Sequence, residues 1–309
     1  MNILVTGGAG FIASHIVDAY IRKGHRVVIV DNLSTGCMDN VHPDAEFVKM
    51  DVRDAGIADL FEKHRFDVVN HHAAQMDVRK SVEDPIYDAN CNVIGFINIL
   101  QNCAKYQVGK VLFASSGGAV YGEQESFPAD EQHKTQPYSP YGITKLIGEK
   151  YLFFYSLTYN IRYIAFRYAN VYGPRQNPHG EAGVVAIFAQ KLLAGESPTI
   201  NGSGEQTRDF VYVHDLVRAN VMALDYDLDA IFNVGTGQET TINKIFRLLS
   251  ELTGGKGEER HAPAKPGEQF RSVVDSSLIW REMGWKPDVD TRQGLAETVD
   301  FFKGKYGRA

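Results

Sequence analysis

The sequence is poor in cysteine, in long apolar runs and in excess positive charge, and each shortage excludes a class of protein. Its three cysteines, Cys37, Cys91 and Cys103, are widely spaced, so they predict neither a disulfide framework nor a zinc site. No apolar stretch reaches the roughly 18–20 residues that cross a bilayer. A formal net charge of −6, with no basic stripe, disfavours binding to nucleic acid.

The N-terminal residues predict a cellular location. They pass straight from a short apolar run into glycines, unlike the start of a signal peptide. Scattered thiols suit a reducing compartment. We therefore expect a cytoplasmic protein without a membrane segment. Its length of 309 residues predicts about two domains.

Apolar runs and amphipathic stretches alternate through the first half of the chain. This alternation predicts an α/β fold with a doubly wound parallel sheet and helices on both faces. The predicted strands are 3–5, 26–30, 46–50, 67–70, 110–114 and 162–167, and the predicted helices are 11–23, 55–65, 85–106 and 138–159.

Turn-forming residues become frequent after residue 170. We expect a helix at 184–193, strands at 209–213 and 231–234, and a mostly helical segment from 240 onward. We assign 1–167 to a dinucleotide-binding domain to which the chain returns at about 209–235. The smaller C-terminal α/β lobe, 168–208 and 236–309, is expected to bind substrate.

A glycine-rich turn follows the first predicted strand. Gly7 and Gly10 would let backbone N–H groups approach a pyrophosphate at the start of the next helix. Asp31 ends the second strand, 21 residues beyond Gly10, where an acid bonds the adenosine ribose hydroxyls. Its carboxylate would repel a 2′-phosphate, so a Rossmann-type site for NAD rather than NADP is predicted. A tight strand–helix connection without a ligand is the alternative for the glycines alone.

Asp51 and Val52 end the third predicted strand. This position would place them beside the adenine of a bound dinucleotide. Asp51 fits the start of the following helix equally well, as a cap.

Tyr141 and Lys145 stand four residues apart in a predicted helix, so their side chains share one face. A tyrosine with a pKa near 10 is a poor base at neutral pH, and a nearby ammonium would favour its phenolate. Ser115 and Ser116 end the fifth predicted strand. These residues predict acid–base chemistry beside the cofactor, although the bare spacing also fits an ordinary surface pair.

With these motifs the chain resembles the extended short-chain dehydrogenase/reductase family, and within it the nucleotide-sugar 4-epimerases. The resemblance covers essentially the whole chain, in the segments 6–13, 31–32, 72–74, 115–122, 139–145, 167–175, 208–211 and 233–237. It implies an NAD-dependent enzyme that interconverts UDP-glucose and UDP-galactose. Helices 85–106 and 138–159 would pair in a homodimer.

The resemblance also implies residue roles. Tyr141 would take the proton of the sugar 4′-hydroxyl while hydride leaves C4′ for NAD, Lys145 would hold the nicotinamide ribose, and Ser116 would bond the reacting oxygen. The 4-keto sugar would then rotate, and the hydride would return to its other face. Further cofactor contacts would come from Phe11, Ile12, Asn32, Ala73, Ala74, Asn92, Ser115 and Tyr168. Further substrate contacts would come from Asn170, Val184, Arg208, Lys265 and Glu268.

Several positions separate this chain from its relatives. Dehydratases and decarboxylases of the family carry acids just after the serine, where this chain has Gly117 and Gly118. A dehydratase or decarboxylase of the same fold and a UDP-glucuronate 4-epimerase are the alternatives. Ser272 aligns with a gatekeeper that is a bulky tyrosine in hexose-restricted epimerases, and a small residue would leave room for UDP-GlcNAc and UDP-GalNAc. Met76 replaces a lysine that some members place near the cofactor phosphates. No metal site is expected.

Overall fold

The computed structural model describes residues 1–178, 183–255, 257–264 and 269–306. The chain divides into two compact units. Unit 1 comprises Met1–Val120, Pro137–Arg167 and Val217–Phe232, and unit 2 comprises Tyr121–Gln136, Tyr168–Leu216 and Asn233–Ala309.

The regular elements are numbered along the chain. The strands are β1 Asn2–Thr6, β2 Arg26–Asp31, β3 Glu46–Lys49, β4 Val68–His71, β5 Lys110–Ser116, β6 Arg162–Tyr168, β7 Asn170–Tyr172, β8 Thr199–Asn201, β9 Thr207–Tyr212, β10 Ala230–Val234, β11 Glu239–Thr241, β12 Arg260–Ala262 and β13 Arg271–Ser272. The helices are α1 Phe11–Arg22, α2 Ile57–His64, α3 Val78–Glu83, α4 Pro85–Ala89, α5 Gly95–Lys105, α6 Gly117–Val120, α7 Pro140–Tyr159, α8 Val184–Leu193, α9 Val213–Met222, α10 Ile242–Leu252, α11 Ser277–Met283 and α12 Thr291–Tyr306. Short 3-10 helices lie at Met38–Asn40 and Ala223–Asp225, and a π-helical turn at Asn90–Ile94.

A seven-stranded sheet forms the centre of unit 1, in the order β10-β6-β5-β4-β1-β2-β3. β1 pairs in parallel with β2 and β4, which bring Thr6 opposite Val30 and His71. Parallel pairing places the ends of β1, β2, β4 and β5 at one edge of the sheet. The predicted doubly wound α/β class is confirmed, and each predicted strand of the first half has a counterpart in this sheet.

The core of unit 1 lies between this sheet and its helices. Strand residues such as Leu4, Val69 and Val111 are fully buried, and α5 packs Phe96 and Ile99 against them. Continuous apolar strands of this kind are typical of parallel sheets covered on both faces.

The predicted helix 85–106 is divided into α4, the π-helical turn and α5. Its hydrophobic pattern continues through the turn, and for this reason the sequence suggested one helix. The segment after residue 240 contains β11, β12 and β13 as well as helices, so the expectation of mostly helix there was too simple. Strands of two or three residues are too short to show an alternating pattern.

Unit 2 contains a small sheet in which β9 pairs with β7, β11 and β13. β8 pairs separately with β12, and helices α8, α10 and α12 pack together. The segment 121–136, which the sequence prediction placed in the first domain, lies in unit 2, where the Tyr121 hydroxyl donates to Asn233. Residues 209–216 also lie in unit 2. Among the described residues, none of the helices combines the length and apolar character that a bilayer crossing requires.

Candidate functional site

The glycine-rich turn lies between β1 and α1. Gly7 has a φ of +71°, and a Cβ atom there would lie 2.8 Å from the backbone nitrogen of Ala73. Gly10 precedes α1 without any side-chain cap, so the first-turn N–H groups, including those of Phe11 and Ile12, have no capping acceptor. The close backbone approach and the open helix N-terminus together fit a pyrophosphate.

Asp31 is held rigidly at the end of β2. Its carboxylate accepts the backbone N–H groups of Ala9 at 3.1 Å and Leu33 at 2.8 Å. Burial raises the pKa of this carboxyl group, and the two hydrogen bonds oppose that rise. The fixed carboxylate has lone pairs left for further donors, as ribose hydroxyls are.

Asn32 and Asp51 lie side by side beyond the ends of β2 and β3. The Asn32 amide donates to Asp51 at 2.8 Å, and the Arg53 guanidinium donates to both carboxylate oxygens at 2.8 Å. These Arg53 bonds hold the pKa of Asp51 well below its usual range. α2 begins only at Ile57, without a side-chain cap, so Asp51 does not cap it. Val52 is buried next to Asp51.

The segment after β4 is fixed by two side chains. The backbone N–H of Ala73 donates to the Thr6 hydroxyl at 3.2 Å, and Ala74 follows it in the segment. Asn92 bonds both backbone groups of Gln75, accepting from its N–H at 2.8 Å and donating to its carbonyl at 2.9 Å. Asn92 therefore shapes the loop after β4.

Helix α7 presents Tyr141 and Lys145 on one face. The Ser139 hydroxyl caps the helix by accepting from the Gly142 N–H at 3.1 Å, and Pro140 occupies its first turn. A Cβ atom on Gly142 would lie 2.7 Å from the Ala119 carbonyl oxygen. This glycine therefore lets α7 lie directly against α6, which begins one residue after Ser116.

The Lys145 ammonium is buried beside the Tyr141 ring. Its Nζ atom donates to the Ala114 carbonyl at 2.8 Å and lies 5.7 Å from the Tyr141 ring centroid and 5.1 Å from that of Phe113. Burial lowers the pKa of Lys145 to about 8, against the opposing effect of Asp88. At neutral pH the side chain is therefore still largely an ammonium.

A buried ion pair that the sequence patterns did not predict lies behind these residues. Glu149 accepts from the Arg167 guanidinium at 2.9 and 2.7 Å and from the Ser115 hydroxyl at 2.6 Å. These contacts tie together β5, α7 and β6. The available signal was spacing, because Glu149 follows Lys145 by four residues and so shares its helical face.

Unit 2 holds most of the residues predicted to contact substrate. Asn170 begins β7 and Val184 begins α8. On β9, Arg208 donates to the Thr207 carbonyl at 2.8 Å and stands opposite Ser272 of β13. Tyr168, predicted to contact the cofactor, is a buried residue of this unit. Lys265 and Glu268 lie outside the described residues.

The strand carrying Arg208 is anchored by the next residue. Asp209 is almost fully buried and accepts from the backbone N–H groups of Thr236 at 2.8 Å and Gly237 at 3.0 Å. A Cβ atom on Gly235 would lie 2.4 Å from this carboxylate, so the glycine is needed for the contact. Within the described part of the chain, no three His, Cys, Asp or Glu side chains cluster as metal ligands do.

Comparison with known proteins shows the family to which the chain belongs. The model of the NAD dependent epimerase/dehydratase family matches residues 3–235, from β1 to just past β10. The chain belongs to this family. A putative UDP-glucose 4-epimerase of Methanocaldococcus jannaschii is 49% identical over 97% of this chain and 98% of its own length.

Solved structures of family members are also similar. A Thermotoga maritima UDP-glucose 4-epimerase with UDP-glucose is 46% identical and has a TM-score of 0.97, covering 99% of both chains. A Thermus thermophilus UDP-glucose 4-epimerase with NAD is 42% identical and has a TM-score of 0.93, covering 98% of this chain and 99% of that one. The resemblance to epimerases seen in the sequence motifs is thus confirmed.

Proposed function

We propose that this chain is an NAD-dependent 4-epimerase that interconverts UDP-glucose and UDP-galactose. The observation that carries the proposal is the pairing of Tyr141 with the buried ammonium of Lys145, on the face of α7 next to the strand end that bears Ser116. Similarity to UDP-glucose 4-epimerases over nearly the whole chain supports the choice of substrate.

The residues around the glycine turn are those we expect to bind NAD. The Gly7 and Gly10 turn would receive the pyrophosphate, and Asp31 would accept from the adenosine ribose. When bound, NAD supplies a group that accepts hydride from C4 of the sugar and gives it back. The remaining proposed contacts are Phe11, Ile12, Asn32, Asp51, Val52, Ala73, Ala74, Asn92, Ser115, Tyr141, Lys145 and Tyr168.

Tyr141 would move the proton of the sugar 4′-hydroxyl. Lowering a tyrosine pKa from about 10 to about 7 requires roughly 4 kcal/mol of preference for the phenolate. The Lys145 ammonium, 5.7 Å from the ring centroid, favours the negative oxygen in surroundings of low dielectric. Ser116 would donate to or accept from the same sugar oxygen and hold it at the Tyr141 hydroxyl.

Unit 2 would bind the UDP part of the substrate. The planar guanidinium of Arg208 suits two-point contact with a diphosphate, and the Asn170 amide would donate to it as well. Val184, Lys265 and Glu268 are the other proposed contacts.

The turn after Ser116 favours epimerisation over the lyase reactions of the same fold. Helix α6 begins with Gly117 and Gly118, so no carboxylate stands there for the additional acid–base step of elimination or decarboxylation. Because Gly117 and Gly118 do not bear on the sugar C5 substituent, a UDP-glucuronate 4-epimerase is the alternative that the substrate test must address.

Proton NMR of UDP-galactose with the purified protein and catalytic NAD tests the proposal. We expect UDP-glucose to appear up to a fixed ratio, without accumulation of NADH. The Tyr141→Phe variant serves as the inactive control. If UDP-galactose stays unchanged and UDP-glucuronate is converted, the proposed substrate is wrong and the chain is a UDP-glucuronate 4-epimerase. If a 6-deoxy-4-keto sugar or CO2 forms, the proposed reaction is wrong and the chain is a lyase.

We also propose that UDP-GlcNAc and UDP-GalNAc are accepted. Ser272 is a small buried residue directly opposite Arg208 in the β9–β13 pairing, so its side chain borders the proposed UDP contacts. A Ser272→Tyr variant should lose activity on the acetamido sugars and keep activity on UDP-galactose. Equal retention of both activities would contradict a gating role for this residue.

The exposed apolar face of α7 suggests a homodimer. Ile143, Phe153, Phe154 and Leu157 of α7 and Ile86 of α4 are exposed apolar side chains. We define these five residues as the apolar face. Exposed apolar groups at helical spacing are typical of a helix-packing interface, and a second copy of the chain would cover them.

A further inference from the structure

Asp88 is a buried carboxylate to which the sequence motifs assign no role. It lies on α4 with 0% of its surface exposed. It accepts from the Gln75 amide at 2.9 Å, the Asn92 amide at 3.1 Å and the Thr144 hydroxyl at 2.9 Å. A buried ionised group carries a large desolvation penalty, and even full hydrogen bonding offsets it only in part.

The bond from Thr144 joins the Asp88 carboxylate to α7, and Lys145 is the next residue of that helix. The Lys145 side chain is 4% exposed, and its Nζ atom lies among the Ala114 carbonyl and two aromatic rings. Burial disfavours the ammonium, whereas the negative charge of Asp88 favours it. Asp88 thus partly offsets the desolvation of Lys145.

Among the described residues, three other titratable groups near Lys145, namely His71, His72 and Glu149, do not replace this charge. Burial, reinforced by Lys145 itself, lowers the pKa of His71 far below its usual value and that of His72 to about 3, so both rings are neutral. Glu149, one turn further along α7, is bonded to Arg167.

We propose that Asp88 is a positioning residue that keeps Lys145 charged and, through Gln75, fixes the loop after β4 against α7. The proposal rests on the proposed function, because it matters most when a positively charged nicotinamide lies beside Lys145. Two cations close together disfavour each other, and a nearby buried anion reduces that cost. Asp88 would in this way sustain the effect of Lys145 on Tyr141 without touching the substrate.

Direct titration of Lys145 tests the proposal. The full chain, with and without NAD, is labelled with ¹³C at lysine Cε, and the Lys145 signal is assigned as the one missing in Lys145→Arg. In the wild type we expect a midpoint near pH 8 without NAD. In Asp88→Asn the midpoint should fall by about one pH unit, the scale of effect of a nearby opposite charge. The alkaline limb of kcat/KM should move by the same amount.

Two variants separate charge from structure. Asp88→Glu keeps the charge and should retain the wild-type midpoint. Thr144→Val removes the hydroxyl that bonds Asp88 and Asn92 but not the charge, so it should move the midpoint far less than Asp88→Asn does. If Asp88→Asn does not fold, Asp88→Ser provides the neutral variant, with circular dichroism as the check. A folded neutral variant in which Lys145 titrates as in the wild type would overturn the proposal. Because this titration needs no sugar, its result stands even if the wild type fails to epimerise UDP-galactose.

Discussion

In most helices charged side chains are exposed and apolar side chains are buried, and the two halves of α7 break this rule differently. In the first half, charged Lys145 and Glu149 are buried. In the second half, Phe153 and Leu157 are exposed, Leu157 to 77%. Charged residues are rarely buried without partners, and exposed apolar clusters are rarely left uncovered. Each half therefore departs from the rule in a way that matches a proposal made above: the first holds the charged groups that we propose for chemistry, and the second holds apolar groups that we propose a second copy of the chain covers.

The largest expected effect comes from removing the Tyr141 hydroxyl. Because proton transfer by a positioned group contributes about 10²–10⁴-fold, Tyr141→Phe should lower kcat by roughly 10³-fold with a much smaller change in KM. Initial rates with UDP-galactose measure this. Tyr138→Phe is the matched control, since Tyr138 lies just before α7 and is 69% exposed. Comparable losses in both variants would mean that Tyr141 has no special role.

The next effect concerns the buried ion pair. Glu149→Gln leaves the Arg167 guanidinium buried without its counter-charge, which typically costs about 3–5 kcal/mol. Urea denaturation should show a loss of unfolding free energy in that range. Glu62→Gln, at an exposed position of α2, should change stability by less than about 0.5 kcal/mol. If the two variants were equally stable, the buried Glu149–Arg167 ion pair would contribute no more to the free energy of unfolding than an exposed glutamate does.

Lys145 should give the protein a distinctive pH dependence. Its pKa is about 8 in the folded chain against 10.5 for the ordinary side chain, so between these values the unfolded state binds more protons. The contribution of Lys145 to the free energy of unfolding therefore rises with pH between about 8 and 10.5, by up to about 3 kcal/mol in total. Unfolding curves at pH 7.5 and 9.5 should show this rise in the wild type and in Lys150→Met. If the same rise in stability persisted in Lys145→Met, another titratable group would be its cause.

The smallest effect on catalysis is expected in the second half of α7. Leu157→Glu introduces a charge into the apolar face and should shift the protein from dimer to monomer in sedimentation velocity. The same change at exposed Thr158 serves as control. Activity per chain should stay within a few fold, because Leu157 lies four turns along α7 from Tyr141. A monomeric wild type would show that this face has another occupant.

Sequence patterns predicted the parallel sheet because its strands are continuous apolar runs bounded by turns. They also identified the Tyr141–Lys145 pair, since its spacing and its place after a glycine-rich turn are local features. Asp88 and Glu149 escaped notice because a charged residue in a helix ordinarily faces solvent. Their burial depends on Thr144 and Arg167, which only the folded chain brings to them.

The π-helical turn between α4 and α5 has a consequence for the alignment of this region. Residues four apart in an α-helix drift by about 40° around its axis, so Asp88, Asn92 and Phe96 would spiral away from a common side. The wider turn at Asn90–Ile94 cancels part of this drift, and all three are buried. The continuous helical segment from α4 to α5 thereby keeps the polar side chains of Asp88 and Asn92 on the same side as Phe96 of the apolar core. Deleting one residue of the turn other than Asn92 would leave Asp88 and Phe96 seven residues apart, a spacing that in a regular α-helix falls only about 20° short of two full turns, so the two segments would keep nearly the same alignment.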